Sequence, residues 1–141
     1  RFATVSGRAR FHAVALPPLK GAGAGELRLM TIRSEGQFNT VVYEEEDLYR
    51  GQERRDVVLM NEGDMGRLGL RENDAVSVQS SAGRMDGLLA RRADIRAGNA
   101  AMYYPEANVL VPAAIDGESR TPAFKSITVR VNRSGRLPVL S

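Results

Sequence analysis

The chain has 141 residues, 43% of them hydrophobic and 26% charged, the proportions of one globular domain large enough to bury a core. It has no cysteine and one histidine, which excludes a disulfide framework, a thiolate nucleophile, a zinc ribbon or an iron–sulfur ligand set within these residues. The lone His12 also argues against a histidine-based metal centre or a Ser-His-Asp triad. The formal charge is +3, and only Lys20 and Lys125 among the 20 cationic side chains are lysines. Arginine's planar fork suits phosphate, but a preference for arginine codons explains the ratio more simply, so the charge permits a phosphate ligand without showing one. No apolar run approaches the roughly 20 residues of a membrane span. The chain starts at Arg1 without an initiator Met or a signal-peptide pattern and reads as a fragment.

Residues 8–16, Arg8 to Leu16, have the composition of a strand, with His12 beside Phe11 as a packed structural histidine. Pro17-Pro18 and the glycines up to Gly25 form a hinge, so residues 1–26 read as a connector. Leu27 to Ile32 is a buried strand, ended by Ser34-Glu35-Gly36. The charged stretch 43–55 reads as a solvated excursion or a short helix, with Glu44, Glu45, Glu46 and Asp47 as an acidic face in water.

Val57-Val58-Leu59-Met60 is a continuous apolar run, as expected of a strand covered on both faces. Asn61 is a good N-cap for a two-turn helix that carries Met65 and Leu68 and ends at Gly69. Asn73-Asp74 turns the chain, and Asn73 tolerates left-handed backbone. Residues 75–79 alternate as a half-buried strand with Val76 and Val78 inward, Ser80 to Gly83 turn, and Met85 to Ala90 return. A turn at 94–99, a strand at 100–104, a long loop from Pro105 to Lys125 and a final strand at 126–131 complete the pattern, with 134–141 as a tail. Six or seven short strands and one or two short helices, without a long amphipathic helix, predict a closed β-barrel. No 20–50-residue repeat is visible.

Three motifs occur in order: Thr31-Ile32-Arg33-Ser34-Glu35-Gly36-Gln37-Phe38-Asn39-Thr40, then Arg67-Leu68-Gly69-Leu70-Arg71-Glu72-Asn73-Asp74-Ala75-Val76-Ser77-Val78, then Pro105-Glu106-Ala107-Asn108-Val109-Leu110 with Thr121-Pro122-Ala123-Phe124-Lys125. Together, over residues 27–133, they resemble the C-terminal molybdopterin-dinucleotide-binding domain of molybdenum and tungsten oxidoreductases, in the formate-dehydrogenase-like branch. The resemblance implies a mainly β, six-stranded double-psi β-barrel that closes over a bis-(molybdopterin guanine dinucleotide) cofactor. It implies that the molybdenum or tungsten is ligated elsewhere, that a 4Fe-4S cluster belongs to a missing N-terminal part, and that this fragment alone is not catalytic. It also implies contact with upstream domains of the same polypeptide and a possible electron-transfer subunit, without nucleic-acid or membrane contact by this domain. A cytoplasmic location is the corresponding expectation. Where formate dehydrogenases often carry an aromatic-His pair, this chain has Tyr103-Tyr104, which weakens a claim to formate as the substrate and leaves the substrate open.

The residue chemistry agrees with that family. Thr31, Arg33, Gln37, Asn39 and Thr40 would put a forked donor, amides and hydroxyls at one barrel mouth, suited to a diphosphate or a pterin edge. The plain alternative is a polar turn in which Asn39 caps local backbone. Glu106 can accept from a guanine, Asn108 and Lys125 flank the same loop, and Tyr103 and Tyr104 can stack on a ring or pack the core, with packing expected of at least one and Tyr104 the candidate for the ligand. Two rival readings are a double-psi module that recognises partner proteins and a basic nucleic-acid-binding barrel. The first leaves Gln37 to Thr40 and Pro122 to Lys125 without a role. The second lacks an arginine–aromatic stripe.

Overall fold

The computed structural model describes residues 2–15, 23–37, 44–117 and 119–134. Six strands form a closed barrel: β1 (Glu26–Ile32), β2 (Val57–Met60), β3 (Ala75–Gln79), β4 (Arg84–Arg92), β5 (Asn99–Tyr103) and β6 (Ile127–Arg133), in the order β1-β5-β2-β4-β3-β6. Helix α1 (Glu62–Arg67) follows β2, and a 3₁₀ turn, η1 (Glu106–Leu110), follows β5. The fold is a double-psi β-barrel.

Its pairing is two-fold symmetric. Taking β1-β2-α1-β3 as one half and β4-β5-η1-β6 as the other, parallel β1·β5 corresponds to parallel β4·β2, and antiparallel β1·β6 to antiparallel β4·β3. The β2·β5 and β3·β6 pairs map onto themselves. This internal repeat is one of topology, which is why no repeat of residues announced it.

Alternation along the strands builds the interior. Leu27 and Leu29 of β1, Val76 and Val78 of β3, and Ile127, Val129 and Val131 of β6 meet in one buried cluster with Val58, Met60 and Met102. Strand β2 is buried at all four positions because its other face, Val57 and Leu59, packs with Ala101 and Tyr103 in a second cluster. Asn61 caps α1, accepting at Oδ1 from Gly63 N–H at 2.9 Å, while its Nδ2 donates to the Ile95 carbonyl at 2.8 Å. The helix ends one residue before Leu68, and Gly69 and Asn73 both take positive φ, 68° and 67°. Among the described residues no helix is long and apolar enough to cross a membrane.

Three expectations change. Residues 8–15 form no strand and are exposed, His12 included; every barrel strand already has two neighbours, so no edge remains for another strand to join. The loop after Pro105 contains the 3₁₀ turn η1. Residues 44–55 hold no helix, and the acidic run is not uniformly in water: Glu44, Glu45 and Glu46 are exposed, but Asp47 is 1% exposed.

Candidate functional site

Strands β1 and β5 run parallel and finish together, Ile32 opposite Tyr103, so both release their chains at the same end of the barrel. The Tyr104 N–H continues the ladder to the Ile32 carbonyl at 2.7 Å. Against this end lies the segment before β6, where the Thr31 N–H donates to the Phe124 carbonyl at 3.0 Å and Lys125 Nζ donates to the Thr31 carbonyl. Thr31, Ile32, Arg33, Tyr104, Phe124 and Lys125 line a cavity of about 430 Å³. A second cavity of about 380 Å³, between Arg33, the turn to Gln37, Tyr49 and Arg50, adjoins it at Arg33.

The start of the first sequence motif and the end of the third therefore meet at one mouth, Thr31 and Lys125 being 94 residues apart. The Arg33 guanidinium lies over the Tyr104 ring, 5.4 Å from its centroid, a cation–π arrangement between two residues that line the cavity. Lys125 uses one of its three donors on the Thr31 carbonyl, leaving two for a ligand. Gln37 is buried and occupied by backbone: its Oε1 accepts from Ser34 N–H at 3.3 Å and its Nε2 donates to the Tyr104 carbonyl at 3.1 Å. Glu106 opens on a separate cavity of about 620 Å³, shared with Arg54, Arg55, Asp56 and Asp86. Asn108 is exposed on η1. Asn39 and Thr40 lie outside the described residues. The structure thus brings together Thr31, Arg33, Tyr104 and Lys125, holds Gln37 behind them, and sets Glu106 and Asn108 apart.

Two residues assigned to a solvated stretch form the base of the mouth. Arg55 is 5% exposed. It meets Glu106 through two hydrogen bonds, Nε at 2.7 Å and Nη2 at 3.1 Å, and donates to Ser34 Oγ at 2.8 Å and the Tyr104 carbonyl at 2.6 Å. Its guanidinium stacks 4.8 Å from the centroid of the Tyr103 ring. Asp47 accepts from the Tyr103 hydroxyl at 2.7 Å and from Arg50 Nη1 at 2.6 Å, and the same Arg50 nitrogen donates to the Arg33 carbonyl at 3.1 Å. Burial alone pushes the Asp47 carboxyl up, but the hydrogen bonds from Arg50 and Tyr103 outweigh it and hold the group below its ordinary value. Burial, and then donation to that carboxylate, push the Tyr103 phenol far above its usual range. The two tyrosines divide accordingly, Tyr103 into the packed interior and Tyr104 onto the cavity wall. The only sequence sign of Arg55 was its place two residues ahead of the apolar run of β2.

The donor set suits an anionic ligand with a planar ring: two cations, a stacking face and strand-end backbone around one cavity. Among the described residues no group of three or more His, Asp or Glu is placed to hold a metal ion.

An uncharacterised oxidoreductase of Mycobacterium tuberculosis is 39% identical over 143 residues, covering 92% of this chain and 18% of that protein. Protein YdeP of Escherichia coli is 30% identical over 145 residues, covering 95% of this chain and 19% of its own length. The chain thus spans about a fifth of the curated relatives it matches. Acetylene hydratase from Pelobacter acetylenicus shares the fold, with a TM-score of 0.60 at 17% identity, over 80% of this chain and 19% of that one. The molydopterin dinucleotide binding domain family matches residues 27–128, and the chain belongs to that family.

Proposed function

We propose that this domain closes over the two molybdopterin guanine dinucleotides of a larger molybdenum or tungsten oxidoreductase of the formate-dehydrogenase-like group. The observation that carries the reading is the cavity where Arg33, Tyr104 and Lys125 converge from β1, β5 and the segment before β6. When bound, the cofactor supplies the two-electron redox chemistry; this chain supplies binding, orientation and exclusion of water. Arg33 and Lys125 neutralise phosphate or pterin oxygens at the rim, and the Tyr104 face receives a ring. The Thr31 and Phe124 backbones, joined at 3.0 Å, seal the wall behind them against water. The metal ligand, a 4Fe-4S cluster, the upstream domains and an electron-transfer subunit belong to the rest of the parent enzyme in this reading.

Arg33→Ala and Lys125→Ala in the full-length parent test it. Each removes one charge-assisted contact to the ligand, and each is expected to lower bound guanine nucleotide about tenfold. Wild-type nucleotide content in both variants would contradict the assignment.

A further inference from the structure

We propose that Arg55 is the positioning residue of the mouth: it touches no ligand there but sets where Tyr104 and the turn after β1 stand. The proposal rests on the cofactor reading above. Among the described residues Arg55 is the one buried cation, and it lines neither of the two mouth cavities. Hydrogen bonds run from it to Ser34 Oγ, the Glu44 carbonyl, the Tyr104 carbonyl and both oxygens of Glu106. A guanidinium carries its N–H donors in a fixed plane, and these bonds employ all three of its nitrogens. They draw together three separate stretches: the turn after β1, the excursion at Glu44, and the junction of β5 with η1. Arg55 itself sits two residues ahead of β2.

The consequence falls on Tyr104. Its carbonyl accepts from Arg55 on one side and Gln37 on the other, at 2.6 and 3.1 Å, while its ring forms the cavity wall beneath Arg33. A side chain held at its backbone by two donors presents its ring in one place, which is the preorganisation a stacked ligand needs. Glu106 then acts on the mouth through Arg55, because both its oxygens are engaged by that fork. Lysine cannot reproduce this arrangement, since a point charge satisfies one acceptor cluster and not a plane of them.

The test uses the full-length parent, purified without oxygen. Arg55→Lys keeps the charge beside Glu106 and loses the fork. GMP released by acid is expected to fall about tenfold. Nitration of the cofactor-free protein with tetranitromethane, located by tandem mass spectrometry, gives the second readout. Arg55→Lys is expected to raise labelling of Tyr104 while Tyr103, buried in the second cluster, stays protected. Unchanged GMP overturns the proposal. So does a loss of GMP with Tyr103 and Tyr104 labelled together, which would make Arg55 a core ion pair, or with neither affected. Absence of GMP from the wild-type parent overturns the cofactor reading and this proposal with it, and is told apart from the other failures by the wild-type control.

Discussion

Asp47 and Tyr103 share a buried hydrogen bond of 2.7 Å, and their opposite displacements fix how the mouth responds to pH. Asp47 lies below its ordinary value of 3.8 in the folded chain, so its contribution is present above that value and disappears as pH falls through the folded one. Tyr103 lies above its ordinary value of 10.0, so its contribution is present below that value and is lost as pH rises beyond it. Tyr103→Phe is expected to flatten the alkaline limb and to make the acid limb shallower as well, since Asp47 loses a donor that lowers its value. At neutral pH the loss should be about 2 kcal/mol, the scale of a buried hydrogen bond to a charged group. Urea titrations across the pH range measure both limbs, and an unaltered profile would contradict the pairing.

At the scale of elements, two junctions carry specific expectations. A Cβ on Gly83 would stand 2.5 Å from the Val109 carbonyl oxygen, where the β3–β4 turn lies against η1 and Ser80 Oγ donates to the Leu110 carbonyl at 2.8 Å. Backbone cannot yield as a flexible side chain does, so Gly83→Ala should cost about 1–3 kcal/mol, read from a denaturant melt. Asn61→Ala removes the cap of α1 and the bond to Ile95 and should cost about 1–2 kcal/mol by the same measurement. Most of the stretch from Val57 to Gln79 was legible because its signals are local: an apolar run, a capping Asn and a glycine past the helix end; β3, read as half-buried, is instead buried at Val76, Ser77 and Val78 in succession. The strand expected at residues 8–16 shows the opposite, since its composition was suitable but strand formation depends on a partner the closed barrel does not offer. Arg55 and Asp47 were missed for a related reason. Glu106 is 51 residues from Arg55 and Tyr103 is 56 from Asp47, and no local periodicity encodes such a pairing. Of the residues lining the candidate site, Thr31, Arg33 and Lys125 lie in the motifs that carry the resemblance and Tyr104 directly before one of them, whereas the buried engagement of Gln37 and the separation of Glu106 from the cavity followed from tertiary structure.

For the whole molecule, two-fold pairing gives each end of the barrel a parallel strand pair releasing its chains, but the ends are finished differently. After β2 the capped helix α1 covers its end, with Met65 in the core. After β5 the chain turns through Tyr104 and the short η1, and the cavity stays open between Arg33 and Lys125. The two ends thus differ: one is capped by α1 beside a cavity of about 630 Å³ lined by Glu62, Met65 and Arg92, and the other, the proposed receptive end, carries Arg33, Tyr104 and Lys125 around its own. The central claim is that this receptive end closes over a molybdopterin guanine dinucleotide cofactor in a parent enzyme. Metal and nucleotide analysis of the full-length parent, purified without oxygen, tests it most directly. The account predicts molybdenum or tungsten together with two GMP released per chain; a folded parent with neither metal nor GMP would contradict it.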